Sequence, residues 1–487
     1  MILLQIIWGA ILAGILGYTF QRSWKWEHGA EADVLFADKY GKETFVFVPP
    51  TALFWILLVF LLMYVWNFGL REGLIRFAAL AVEVLLLLSF YYVLLLILLP
   101  FLRKWFSARA CALLWLIPAF LSWQASELIN IMAFPRWTIF VPRYMWPVAG
   151  AVWAAGFLAV SAYFLISHLL FCSWLRKHSA PETDEDLIAI WEKERSALDY
   201  RRPVKLLRAD VSAPFSMGQT KRTRCTVLPE RNYTKEELSM IFRHELHHLQ
   251  RCDVDTKVFL CLCNALCWFN PLVWIATRKA ADDLERSCDE IVTEKMGNPE
   301  RLAYAKLLLE SAGPGKAFTT CLSGAAGTLR YRLKSIVNQS RRLTGTALLM
   351  AAVLGCVMCF GLVSVSDRRG NINSLILEPG TEIQGIYDGE SLHSLKWDEP
   401  ALRKVLGEIE LEHIAGLRNS QEDDEKFTFL LSAGGYFTMT DQALFVYKYE
   451  EDSSAADCYL IKNPVDWDAL RACFRQQLKI LVPENAI

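Results

Sequence analysis

The stretch Ile241–Asp253, IFRHELHHLQRCD, sets His244, Glu245 and His248 in an HExxH pattern, with His247 beside the second imidazole. On a helix, positions four apart stack on one face, so His244 and His248 can reach one metal ion. Glu245 then stands next to that ion, placed to move a proton. A zinc ion that hydrolyses bonds takes three protein ligands and keeps one position for water. The segment DDLERSCDEIV offers the third ligand: Glu285 and Asp289 share a helix face. Glu285 is the expected ligand. Asp289, one turn on, is placed to accept a hydrogen bond from a ligand histidine and fix its tautomer. Asp253 and His247 are expected around the ligands, with exposure at the surface the alternative for His247. The plainer readings are an amphipathic helix with exposed histidines and a solvated acidic face. The chemistry of the metal reading is peptide hydrolysis, with Zn2+ activating water and Glu245 as general base. Its oxyanion donor is unassigned, with His247 and nearby arginines as candidates.

The elements that would hold these groups are legible nearby. Thr234 and Glu237 form a capping box ahead of the HExxH segment, and Leu238, Ile241, Phe242, Leu246 and Leu249 give it an apolar stripe.

Composition places the site beside a bilayer. Of 487 residues, 54% are hydrophobic and 21% charged, and the mean hydropathy is +0.25, above the soluble norm. A net charge of −1 argues against direct nucleic-acid binding. The 13 cysteines follow no metal-cluster spacing and read as small buried hydrophobes. Six apolar stretches approach the ~20 residues a span needs: 2–20, 51–69, 77–100, 110–132, 146–172 and 344–365. Glu83 and Glu127 interrupt two of them and are expected to face the bundle interior. One set of loops carries Arg22, Lys25, Lys39, Lys42, Arg103, Lys104, Arg109, Arg176 and Lys177; the other carries only Arg71, Arg76, Arg136 and Arg143. The richer set belongs in the cytoplasm. The N-terminus is then outside, 173–343 inside and 366–487 outside.

A seventh apolar run, Val258–Ala276, is interrupted by Asn270-Pro271. A single crossing there would put His244 and Glu285 on opposite sides of a core about 30 Å thick. The run must be buried in the domain, or enter and return.

SAPFSMG (Ser212–Gly218), TVLPE (Thr226–Glu230), RHELHHLQRCD (Arg243–Asp253), WFNPLVW (Trp268–Trp274) and LERSCDE (Leu284–Glu290) resemble, in order, the pattern of the BlaR/MecR-type antirepressor membrane metallopeptidases. The resemblance covers roughly 140–345. It implies a cytoplasmic zinc peptidase of the glutamate-third-ligand type held between membrane helices. Such proteins sense an external signal and cleave, directly or indirectly, a cytoplasmic transcriptional repressor, and self-cleavage can precede this. His244, His248 and Glu285 match the ligands, Glu245 the general base and Asp289 the acid in the same turn. His247 departs from the usual pattern. The C-terminal part, 367–487, is too short for a penicillin-binding domain and lacks an SxxK nucleophile, so a β-lactam is not supported as the signal.

The expected fold is a mainly α-helical polytopic membrane protein with a helical gluzincin-like peptidase domain and a small α+β extracytoplasmic domain. Its expected parts are an N-terminal membrane domain of about five spans (1–172), the peptidase (173–343), a transmembrane helix (344–365) and a sensor-like domain (366–487). Residues 371–487 hold 21 Asp plus Glu against 10 Lys plus Arg, an acidity suited to solubility. Strands are expected at 427–431, 436–440, 443–449 and 458–461, with an amphipathic helix from Val465 to Leu481. Cys458 and Cys473 could pair if this part is outside the cell. The expected partners are the lipid bilayer, a cytoplasmic repressor as substrate and an extracellular ligand of unknown chemistry, with a homodimer left open. A cut near Gln339–Gly345, QSRRLTG, would release the cytoplasmic domain. Two rival readings are a housekeeping protease for misfolded membrane proteins and a non-catalytic receptor with structural zinc.

Overall fold

A computed structural model describes residues 2–29, 52–117, 135–218, 222–311, 326–337, 342–359, 361–377, 380–388, 391–394, 396–414, 427–432, 434–447 and 457–475. The first helix, α1 (Ile2–Glu27), is apolar nearly to its end. The next segment, α2 (Ala52–Trp105), reverses at Gly69, whose φ of 75° suits glycine. The two arms then pack closely: a Cβ on Gly73 would sit 2.5 Å from the Tyr64 carbonyl oxygen. Glu83 on the second arm is half-buried and accepts hydrogen bonds from Ser364 Oγ and from the Val365 amide, the latter at 3.0 Å. It faces protein, not lipid. Glu127 lies outside the described residues, as does most of the expected span 110–132, whose described start forms the short buried α3 (Ala108–Leu114).

After β1 (Trp137–Phe140) comes α4 (Trp146–His178), which runs six residues past the boundary expected at 172 and straight into β2 (Ser179–Pro181). Val148, Val152, Leu158, Leu165, Leu169 and Leu170 are all more than half exposed on α4. A helix apolar all round and left exposed is stable only in a non-aqueous surrounding. By length and composition, Leu57–Trp105 and Arg143–His178 are the two helical segments able to cross a membrane among the described residues.

The peptidase segment combines a small sheet with helices. Helix α5 (Glu185–Ala197) is followed by β3 (Lys205–Ala209), β4 (Phe215–Met217) and β5 (Cys225–Pro229). The strand order is β2-β3-β5-β4, which leaves β4 at an edge. Five helices follow: α6 (Lys235–Gln250), α7 (Asp253–Leu266), α8 (Pro271–Thr293), α9 (Asn298–Ser311) and α10 (Ala326–Val337). The seventh apolar run is a helical hairpin. Asn270 caps α8 by accepting from the Leu272 amide at 3.0 Å, Pro271 fills the first turn, and the chain returns toward its starting side.

The expected span 344–365 is shorter than anticipated. Helix α11 (Thr346–Cys359) has 14 residues, and by Val363 the chain is already a strand, β6 (Val363–Asn371). At 1.5 Å per residue α11 is only ~21 Å long. It packs along α1, where Gly9, Ala13 and Gly17 form a stripe of small residues; a Cβ on Gly17 would lie 2.8 Å from Met350 Sδ. The part of the QSRRLTG stretch within the described residues is tied down. Arg342 pairs with Glu290 at 3.1 Å, and Leu343 exchanges backbone hydrogen bonds with Trp105 and Ser107. Residues 338–341 lie outside the described residues.

The C-terminal part contains α12 (Ile372–Leu375), β7 (Ile383–Asp388), β8 (Ser391–Ser394), β9 (Lys396–Trp397), α13 (Glu399–Gly407) and β10 (Glu410–Ile414). It continues through β11 (Phe427–Leu431), β12 (Tyr436–Met439), β13 (Ala443–Tyr447), β14 (Asp457–Ile461), α14 (Trp467–Ala472) and β15 (Phe474–Arg475). The order β1-β6-β10-β14-β13-β12-β11-β7-β8 makes one nine-stranded sheet. The expected long helix stops after six residues because Phe474 turns extended to pair with Trp397 and packs its ring 5.1 Å from Phe427. Cys458 and Cys473 are not bonded to each other: they join different apolar clusters, one with Ile414 and Phe445, the other with Leu470 and Leu402. The sheet is anchored to the helices by ions: Arg76 of α2 pairs with Asp457, and Arg143, just ahead of α4, pairs with Asp367 at 3.5 Å.

Candidate metal centre

Helix α6 begins on the Thr234–Glu237 capping box and turns its apolar stripe into a cluster with Trp191, Leu228 and Leu308. That packing fixes where His244 and His248 point. Their Nε2 atoms lie 3.1 Å apart, and Glu285 Oε2 of α8 lies 3.7 Å from the first and 3.6 Å from the second. Two ligands at 2.0–2.1 Å from a tetrahedral zinc stand ~3.3 Å apart, so the triangle matches that ion closely.

The hydrogen-bond pattern suits a bound cation. Arg332 donates to both oxygens of Asp289, at 2.6 and 2.7 Å, which fixes Asp289 as an ionised acceptor. The Tyr304 hydroxyl, 2.9 Å from Asp289 Oδ1, therefore donates to it and accepts from His244 Nδ1, also at 2.9 Å. His248 Nδ1 donates to Asp253 Oδ2 at 2.8 Å. Both imidazoles thus keep a proton on Nδ1 and turn Nε2 toward each other and toward Glu285 Oε2, where a metal ion would replace the proton that His248 Nε2 carries without one. That buried oxygen has no hydrogen-bond partner, and Arg332 Nη1 stands off at 3.5 Å. Two imidazole nitrogens and a carboxylate oxygen converging at this spacing suit a metal ion.

Charge around the cluster agrees. Burial alone would raise the Glu285 pKa, but the Lys257 ammonium, 2.9 Å away, and His248 hold it well below the usual carboxylate range. Burial disfavours a charge on His248, yet the Cys288 sulfur, Glu285 and Asp253 push its pKa well above the usual imidazole value. The surroundings are built to receive positive charge. A metal would therefore bind with release of a proton.

The remaining sequence candidates fall as follows. Asp253 bonds directly to a candidate ligand. Asp289 does not: it lies 3.6 Å from His244 Nδ1 and acts through Tyr304, which sequence reading missed. His247 is neither on the surface nor at the cluster. It is 3% exposed and bonds to Gln250 at 3.3 Å, so it is no oxyanion donor here. Lys257, Tyr304 and Arg332 come from three other helices and carry no local motif. Glu245 is 2% exposed, its Oε2 lacks a hydrogen-bond partner, and it lines a cleft with Pro214, Ile241, Tyr304, Leu307 and Leu308. Pro214 leads into β4, so the open strand edge borders that cleft.

His247 makes one pH prediction. Burial, then the charge of Arg251, lowers its pKa from 6.5 to about 3. Between those values the unfolded chain binds a proton that the folded chain does not. Stability is therefore lost as pH falls from 6.5, by up to ~1.4 kcal/mol per pH unit from this group. Thermal unfolding of His247→Gln should depend less steeply on pH between 6.5 and 4.5 than that of the wild type. Equal slopes would count against a buried neutral imidazole.

Residues 137–336 match the family model described as BlaR1 peptidase M56. The chain is also similar to the regulatory protein BlaR1 of Bacillus licheniformis, at 26% identity over 246 residues. That match takes in 48% of this chain and 40% of the relative, so the likeness extends over less than half of that protein. His244, Glu245, His248 and Glu285 all lie within the residues that match the BlaR1 peptidase M56 model, so the likeness to that family includes the candidate metal centre.

Proposed function

We propose that this protein is a membrane-embedded zinc metallopeptidase that transduces a signal as an antirepressor, cutting a cytoplasmic transcriptional repressor. The observation that carries the reading is the convergence of two imidazole Nε2 atoms and one partnerless carboxylate oxygen beside Glu245. His244, His248 and Glu285 would hold the zinc, which when bound would lower the pKa of a water and polarise the scissile carbonyl. Glu245, with its Oε2 unpartnered, is placed to take a proton from the attacking water and pass it to the leaving amine. The edge of β4 pairs its backbone with an extended substrate strand, and Ile241, Leu307 and Leu308 accept an apolar side chain beside the cut bond. A structural zinc site has no use for a buried carboxylate left unbonded next to the ligands, which favours the catalytic reading.

The topology proposed is multi-pass, with the peptidase in the cytoplasm and the C-terminal sheet outside. Two helices support it. Helix α4 begins next to β1 of the C-terminal sheet and ends in β2 of the peptidase sheet; α11 begins beside Ser107 and ends at β6. Both connect the same two bodies, and the exposed apolar length of α4 lies between them. The test is to induce cells carrying wild type or a Glu245→Gln form and map cleaved cytoplasmic proteins by mass spectrometry. A repressor fragment present only with wild type is expected. Fragments confined to misfolded membrane proteins would replace this reading with the housekeeping one.

A further inference from the structure

We propose that Glu27, at the end of α1, is a positioning residue for the metal centre, acting through two arginines on the outer nitrogen of His248. This rests on the metallopeptidase reading above. Glu27 lies 224 positions before Arg251, outside the segment matched by the family model. It is 6% exposed, and its Oε2 accepts from Arg251 Nη2 at 2.7 Å while Oε1 is 3.4 Å from Arg109 Nη2. From there two routes lead to the same imidazole nitrogen. Arg109 Nη1 is 3.8 Å from Asp253 Oδ1, and Asp253 Oδ2 accepts from His248 Nδ1. Arg251 Nη1 is 3.3 Å from Cys288 Sγ, which is 3.4 Å from the same Nδ1.

The charges explain why Glu27 matters. Two buried guanidiniums face Glu27 and Asp253, and both carboxylates are buried. With Glu27 neutral, Asp253 is the carboxylate left facing the two guanidiniums among the described residues. It turns toward them, leaving His248 Nδ1 with a weaker acceptor and Nε2 less basic toward a metal. Loss of such an outer contact lowers metal affinity by about 10–100-fold. The N-terminal helix thereby forms part of the metal centre.

The test titrates Co2+ into the full chain in detergent, against a competing chelator, and records the visible absorption of the bound ion. For Glu27→Gln, affinity should fall by about 10–100-fold with a shifted absorption band. Adding Arg109→Met to Glu27→Gln removes a guanidinium that draws on Asp253 and should restore part of the lost affinity. Wild-type affinity and spectrum in Glu27→Gln, with only a lower unfolding temperature, would overturn the proposal, and so would a further loss in the double variant. Should Glu27→Gln fail to fold, wild-type affinity and spectrum in Glu27→Asp, whose shorter carboxylate withdraws from the 2.7 Å contact with Arg251, would do the same. A wild type that binds no Co2+ would instead sink the metallopeptidase reading itself.

Discussion

Replacing Glu245 with glutamine should reduce peptide hydrolysis by about 10²–10⁴-fold while leaving the metal in place. The carboxamide keeps the size and shape of the side chain but has no basic oxygen to take the water's proton. Little else changes, because Oε2 has no hydrogen-bond partner to lose and the proposed ligands His244, His248 and Glu285 are untouched. Stability should hold or rise slightly, since a buried charge is removed from a site only 2% exposed. Product formation and metal content measured on the same preparation check both halves. Undiminished cleavage would remove Glu245 from the mechanism, and loss of the metal would give it a ligand's role instead.

Glu285→Ala should strip the metal and weaken the fold together. The variant loses the one carboxylate in the triangle and leaves the Lys257 ammonium, 22% exposed at its side chain, without its 2.9 Å partner. Arg332 keeps Asp289. Breaking a mostly buried pair from one side costs about 3 kcal/mol, and metal-linked stability disappears as well. Dialysis against a chelator followed by denaturant unfolding reads both effects. Glu285→Gln, which retains an oxygen at the same position, should fall between the two. A variant that keeps stoichiometric metal at wild-type stability would show that the third ligand is another group.

The site was legible wherever its chemistry was local. His244, Glu245 and His248 share one helical turn, and Glu285 stands in a second short pattern, so spacing alone brought them forward. Asp253 was close enough in sequence to accompany them. Tyr304, Arg332 and Lys257 were invisible because their importance comes from helices α7, α9 and α10 meeting α6 and α8 in space. Nothing in RLAYAK (Arg301–Lys306) announces a tyrosine clamped between an imidazole and a carboxylate. Asp289 illustrates the limit: its helix face was right, but the intervening phenol was unreadable.

The fold divides in the same way. Strands β11 to β14 followed from alternation within a few residues, and the Asn270-Pro271 break marked the hairpin between α7 and α8. The parallel pairing of β1 with β6 joins Trp137 to Val363, and no periodicity reports a partner so distant. α11 proved shorter than its apolar run because Val363–Val365 form sheet hydrogen bonds that hydropathy cannot distinguish from helix. The C-terminal helix ended early for a related reason: Phe474 gains more from the Phe427 ring and the Trp397 backbone than from another helical turn.

The most direct test is elemental analysis of the purified full chain combined with X-ray absorption at the metal edge. One zinc per chain is expected, with two imidazole nitrogens and one carboxylate oxygen at ~2.0–2.1 Å, and it should be lost in His248→Ala. A chain with no stoichiometric transition metal, or one that keeps its metal and first-sphere spectrum after that substitution, would contradict the assignment.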